Sequence, residues 1–504
     1  MPMYLLGIDN GSTLIKAALF DLSGNEIAVH SSPVEVRMPG PGRFERSLDA
    51  IWEVNVEVIA KVIERATVDP ADILCLAITG HGGGVHLVDA RGEGLYPAME
   101  GVDLRARGYV EQWLEDGTFD RIHPKTLQSF FPAQPAPLLR WLKENEPQVL
   151  AKTRWILPLK DYVRFRLTGE AYGEITNMSA TSLLNVRDIR YDVELLEELG
   201  IAELREKLPP LRQSADVCGK VTREASQLTG LKEGTPVAGG MWDVDASAIA
   251  TGVTDDTKLN IIAGTWCNNQ FVSPAPLVSK SLFMTTVFCI PGFWLVLEGS
   301  PTSASNLEWF VKELMGTERN QCEHDGISIY DLCNREVAST SAAELVPVFL
   351  PFLYGTNAGP DAQAAFVGVN GQHRRAQLLR SVYEGIVFSH RTHIEKLRRL
   401  RTLPGQARIA GGAAASEVWV QMFADVLQLS IERIGAKELG ALGCAITAGV
   451  ACGVFASFQK GVEAMVHVSG RVEPDPRNAE AYERKYRRYL AAIEALSAFW
   501  SVSC

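Results

Sequence analysis

Leu5-Leu6-Gly7-Ile8-Asp9-Asn10-Gly11-Ser12-Thr13, continuing through Lys16 to Phe20-Asp21, is the stretch on which the fold turns. A short apolar run reads as a buried strand, and it ends in an acid followed by Asn-Gly-Ser-Thr. A second apolar run, Ala17 to Phe20, returns after only a few residues, so the segment reads as a β-hairpin. Backbone N–H groups at a Gly turn, two hydroxyls and the Lys16 ammonium make a cradle for phosphate. Bare phosphate would repel Asp9, so an acid there makes chemical sense holding Mg²⁺ or water between the two.

Related signals recur in the second half. Leu259 to Ala263 is another apolar strand, and it runs into a second Gly-hydroxyl turn at Gly264-Thr265. Arg408-Ile409-Ala410 leads into Gly411-Gly412, and a helix follows with Ser416 as N-cap and Trp419, Phe423 and Val426 as its buried face. Two phosphate hairpins, one per half, with a Gly-Gly helix entry describe an α/β chain of two ribonuclease H-like, actin-like ATPase domains that close on a nucleotide in the cleft between them.

On these and further motifs the chain resembles the FGGY carbohydrate kinases over nearly its whole length. Leu159-Lys160-Asp161-Tyr162 through Leu167-Thr168-Gly169-Glu170 is similar to a family segment, as is the run Gly234-Thr235-Pro236-Val237 to Gly239-Gly240-Met241-Trp242-Asp243. Ala364 to Glu384 fits the family's C-terminal signature, while its N-terminal signature is met less well, with Leu138 where a lysine is usual. The pattern Ser300 to Phe310, then Phe352 to Gly359, looks most like the L-xylulose kinase branch, with Val244 after the acid and a small residue at Gly101.

Bulk properties agree with that resemblance. A chain of 504 residues exceeds what one core usually serves, so two domains are expected, 1–251 and 252–504, with the border near Gly252 and Asp255-Asp256. A net charge of -11 without a basic block argues against nucleic acid and anionic membrane as partners. The start reads as a strand rather than a signal peptide, and nine scattered cysteines without a Cys-x-x-Cys pair suit reduced thiols in a cytoplasm. The Ala- and Gly-rich segment 435–453 reads as a tightly packed helix behind the adenosine pocket, and 479–499 as a charged amphipathic helix on the second domain.

The resemblance implies ATP and Mg²⁺ as cofactors, a small sugar as acceptor, and a homodimer as the candidate assembly. Asp243 is then the catalytic base, and it joins Asp9 at the metal. Asn10, Gly11, Ser12, Thr13 and Lys16 surround the phosphates from one domain, and Gly264 and Thr265 from the other. Gly411, Gly412 and the helix opening at Ser416 approach the nucleotide. Asp245, two residues beyond the base, reads as a helix-start residue. In the sugar pocket His81, Gly82, Asp103, Arg105, Asn177 and Asp243 are the candidate contacts. Gly82, Gly83 and Gly101 are expected to open the pocket by lacking side chains, which points away from D-xylulose and glycerol.

The expected substrate is L-xylulose or a related ketopentose, with erythritol or another linear polyol, or D-xylulose, as alternatives. A folding ATPase or cytoskeletal protein of the same core would lack the Leu159 to Glu170 segment and the acid after Gly240. An inert sugar sensor would be expected to lose Asp9, Asp243 or Thr265, and all three are present.

Overall fold

The computed structural model describes residues 3–356, 358–359 and 361–502. Asn357, part of the Phe352 to Gly359 pattern, lies outside them. Two compact units form, and neither is one continuous stretch: the first gathers Met1–Asp255, Val272–Val296 and Ala436–Val466, the second Asp256–Phe271, Leu297–Gly435 and His467–Cys504.

In the first unit the expected hairpin is present as β1 (Tyr4–Asn10) and β2 (Leu14–Asp21), antiparallel with Asp9 opposite Lys16. The chain continues through β3 (Glu26–Pro33), α1 (Leu48–Ala66), β4 (Ile73–Gly80), α2 (Leu159–Thr168), α3 (Ile175–Ser179), β5 (Val217–Lys220), β6 (Pro236–Ala238), β7 (Met241–Trp242) and α4 (Asp243–Ala250). The strands lie in the order β5-β6-β4-β1-β2-β3, with β7 also pairing β4. Ser47 caps α1 by accepting from the Ala50 amide at 3.3 Å, a bond worth about 1 kcal/mol.

β1 is apolar almost throughout because both of its faces are covered. The helix Leu439–Ala451 packs on β1 and α4 of this first unit. Sequence shows that this helix is apolar on all sides, hence buried, but does not name the sheet it covers. Its small residues let it approach at backbone distance: a Cβ on Gly7 would overlap the Ala441 backbone, and one on Gly443 that of Ala246.

The second unit repeats the plan with β8 (Leu259–Ala263), β9 (Cys267–Ser273), β10 (Trp294–Ser300), α5 (Ser305–Leu314), α6 (Ile329–Ala338), α7 (Arg375–Arg398), β11 (Gln406–Ala410), α8 (Glu417–Leu427), β12 (Ser430–Ile434), β13 (Val468–Val472) and α9 (Ala479–Trp500). These strands lie in the order β10-β9-β8-β11-β12-β13 within a seven-stranded sheet. In both units the first strand is antiparallel to the second and parallel to the fourth, the ribonuclease H-like arrangement of actin-like ATPases. Ser416 caps α8 through the Trp419 amide at 3.2 Å, and Trp419, Phe423 and Val426 are buried as expected. α9 sits in this unit, its buried Lys485 paired with Glu384 at 2.7 Å.

Candidate active site

β1, β4 and β7 run parallel, and their carboxyl ends bring Asn10, Gly80 and Trp242 to one edge of the sheet with Asp243 next in the chain. In open α/β sheets ligands bind at that edge. A buried ionic network sets the approach to Asp243. Lys160 Nζ bonds Asp161 at 2.7 Å and lies 3.2 Å from Glu174, while Arg164 donates to Asp161 at 2.7 Å and to the Gly239 carbonyl at 2.9 Å. Glu174 accepts from the Thr176 hydroxyl at 2.8 Å, and Thr176 Oγ1 accepts from the Trp242 amide at 2.8 Å. The Lys160-Asp161 segment thus positions the strand that carries Asp243. Gly240, at φ 74° with Ile78 O where a Cβ would stand, admits no other residue without a shift.

Asp243 opens α4 without capping it, since Trp242 is the N-cap and makes no side-chain cap bond. Burial pushes the Asp243 carboxyl up to about 7, and the nearby Asp9 charge adds to the rise. Burial likewise raises Asp9 to about 6, with Lys16 pulling the other way. Two carboxylates that hold protons this tightly are poised to accept a proton or a hard cation. Asp245 is more than a helix-start residue: it is fully buried, accepts from the Cys289 amide at 3.0 Å, and has its proton affinity raised by burial.

The phosphate hairpin exposes Ser12 and Thr13, as an anion cradle requires. Asn10, expected at the phosphates, is fully buried and accepts from Asn55 at 2.8 Å. Lys16 is held by Glu438 at 2.9 Å. From below, Arg46 donates to the carbonyls of Gly11 and Ser12, a role no local sequence signal announced.

The expected sugar side needs several corrections. Asp103 and Arg105 are not presented to a ligand. Their side chains are 0% and 1% exposed, bonded to each other at 2.8 Å, with Arg105 also on Glu45 at 2.6 Å and Asp103 on the Phe44 amide at 2.8 Å. The glycines do not open space either. A Cβ on Gly82 would stand 2.6 Å from Trp242 Nε1, one on Gly83 3.1 Å from the Ala133 carbonyl, and one on Gly101 2.7 Å from the Gly82 carbonyl. They are small because the loops touch. Gly82 therefore seats the Trp242 indole.

His81 and Asn177 remain as candidates. His81 Nδ1 donates to the Gly82 carbonyl at 3.1 Å, and His81 Nε2 and Asn177 Oδ1 are buried without a protein partner. Asn10 Nδ2, Trp242 Nε1 and Glu100 Oε1 are orphaned in the same way. Glu100 and Trp242 were not anticipated. An acid set directly between the apolar Ala98-Met99 and Gly101-Val102 is the only trace that Glu100 leaves in the sequence.

In the second unit Gly264, Thr265, Gly412 and Ser416 line a cavity of about 470 Å³ together with Asn334, Tyr383 and Trp419. Its size is that of a small-molecule site. The hairpin carbonyls of Gly264 and Thr265 accept from the Ala304 amide at 2.8 Å and the Ser303 amide at 3.0 Å. Gly411 supports the cavity from behind, at φ 90° with a missing Cβ that would meet Ala263 O at 2.7 Å. Tyr383 stacks on Trp419 at 4.3 Å, and its hydroxyl and that of Ser416 donate to Asn334 Oδ1 at 2.9 and 2.6 Å. Asn334, Tyr383 and Trp419 were not among the expected contacts. Among the described residues no helix is long and apolar enough to cross a membrane.

Comparison with known proteins agrees with this geometry. Residues 4–250 match the N-terminal domain and 259–452 the C-terminal domain of the FGGY family of carbohydrate kinases. The chain is 37% identical to the L-xylulose/3-keto-L-gulonate kinase of Escherichia coli, covering 99% of this chain and 98% of that protein. It is 39% identical to a probable L-xylulose kinase of Pasteurella multocida, covering 98% and 99%. A crystal structure of xylulose kinase from Rhodospirillum rubrum superposes with a TM-score of 0.86 at 27% identity, covering 99% of each chain. With both family domains matched in order and relatives above 30% identity along its length, the chain belongs to the FGGY carbohydrate kinases, phosphotransferases that act on a sugar hydroxyl with ATP.

Proposed function

We propose that this enzyme transfers the γ-phosphoryl group of ATP to a terminal hydroxyl of a ketopentose, with L-xylulose as the best-fitting substrate. The observation that carries the reading is Asp243 at the end of β7, a carboxylate with proton affinity near neutrality beside a set of unpartnered buried polar groups. The names of the Escherichia coli and Pasteurella multocida relatives supply the pentulose.

Asp243 accepts the proton of the attacking hydroxyl, a general-base role for which an affinity near the working pH is favourable. Each unit carries amides and hydroxyls suited to phosphate, Ser12 and Thr13 exposed on the hairpin of the first and Gly264 and Thr265 in the cavity wall of the second. The second-unit cavity, with the Tyr383–Trp419 stack and Asn334 in its wall, takes the nucleoside. Asp9 and Asp243 fit Mg²⁺ by chemistry, as hard oxygen donors whose mutual repulsion a cation would relieve. When bound, Mg²⁺ neutralises charge on the phosphate oxygens.

The test is ATP consumption over ketopentoses, hexuloses and linear polyols, with the product's phosphate position read by ³¹P NMR. L-Xylulose should give the highest kcat/KM. A higher value for D-xylulose or for a polyol overturns the substrate, and no turnover with any of them overturns the activity.

A further inference from the structure

We infer that Glu100 and His81 select the substrate class, admitting neutral polyhydroxylated sugars and rejecting sugar acids. This rests on the proposed sugar-kinase reading and narrows it. Glu100 is 2% exposed, and Arg46 Nη2 donates to its Oε2 at 2.7 Å, leaving Oε1 without a partner. His81 is 9% exposed, and its Nε2 lies 3.5 Å from the same Glu100 Oε2, also without a hydrogen-bond partner. Nδ1 donates to a carbonyl, which can only accept, and Nε2 on the other side of the ring faces the Glu100 carboxylate.

The Glu100 carboxylate only accepts, so its unpartnered Oε1 calls for a ligand that brings a hydrogen-bond donor. Sugar hydroxyls are such donors and a carboxylate is not. Buried polar groups aimed at a missing partner recognise the ligand that supplies it and penalise one that cannot.

Five cations of this region point the same way, since each of them already has a carboxylate. Arg46 is matched by Glu100, and Arg105 by Asp103 and Glu45. Lys160 is matched by Asp161 and Glu174, Arg164 by Asp161, and Lys16 by Glu438. A sugar carboxylate would find no uncommitted cation among them and would face Glu100, with Asp9 and Asp243 on the neighbouring strand ends. The Escherichia coli relative is named for 3-keto-L-gulonate as well as for L-xylulose. This chain should part from it on that acid.

The experiment compares neutral ketopentoses and five-carbon polyols with 3-keto-L-gulonate and five-carbon aldonates. It uses the full chain, its Glu100→Gln variant and its His81→Asn variant, reading kcat/KM by coupled ATP turnover and affinity by calorimetry. The wild type should favour the best neutral substrate over the best acid at least about 100-fold, as expected for a hydroxyl bonded to a charged acceptor. Glu100→Gln keeps an acceptor for Arg46 and removes the charge, so the ratio should fall about tenfold or more. His81→Asn should weaken neutral sugars yet keep discrimination, because the carboxylate remains, and it decides the matter if Glu100→Gln does not fold.

Equal use of acids and neutral sugars by the wild type overturns the inference. So does a ratio unmoved by Glu100→Gln, or a loss of discrimination in His81→Asn when Glu100→Gln does not fold. If neutral sugars bind without being phosphorylated, the proposed activity fails while the affinities still judge Glu100. If no neutral sugar binds, both fail.

Discussion

At the scale of single residues, Asp243 shows how a site can oppose the fold that carries it. Folding raises its proton affinity from 3.8 to about 7 by burial and by the Asp9 charge. The folded chain therefore holds a proton that the unfolded chain releases from about pH 3.8 upward, and stability falls as pH rises across that window to about 7. Asp243→Asn removes the penalty and the proposed base together. The variant should melt above the wild type at pH 8, by less at pH 5, while kcat drops about 10²–10⁴-fold. For the wild type, kcat/KM for the sugar should decline on acidification through about pH 7. Near-normal turnover in the variant, or a flat wild-type profile between pH 6 and 8, would remove Asp243 from the base's role.

At the scale of elements, the helix Leu439–Ala451 sets propensity against packing. Alanine at position 440 should favour an exposed helix by about 1 kcal/mol over glycine. Here a Cβ on Gly440 would run into the Asp9 carboxylate. Gly440→Ala is expected to lower the unfolding midpoint and to depress kcat/KM for ATP at least tenfold, measured by melting and steady-state rates. A variant more stable and fully active would mean that the contact yields cheaply.

The same element marks the limit of what a sequence discloses. Both hairpins, the Ser416 cap and the buried acid after β7 were legible because each is local: a period, a turn residue and a family motif lie within a few positions. Asp103 and Arg105 misled because their partners, Glu45 and the Phe44 amide, are about 60 residues distant in the chain. Gly82 and Gly101 misled for a related reason, since an absent side chain reads equally as open space or as close contact. Only the neighbouring backbone decides which.

At the scale of the whole molecule, the first unit is completed by two late segments, Val272–Val296 and Ala436–Val466. A fragment ending at residue 251 would leave β1 and α4 without the helix that covers them. Expressed alone, 1–251 should aggregate and lack a cooperative melt by circular dichroism. Joining 436–466 to it through a flexible linker should restore solubility. A monomeric, cooperatively melting 1–251 fragment would show that the late helix is dispensable.

That late helix also has a consequence for biosynthesis. The strand bearing Asp9 leaves the ribosome first, yet its cover is translated about 180 residues after the first stretch ends at Asp255. At about 5–20 residues per second the nascent chain waits on the order of ten to forty seconds with that apolar sheet face unshielded. Chaperone occupancy during synthesis, and sensitivity to codons that slow the ribosome between positions 256 and 436, should be the cellular signature of this arrangement.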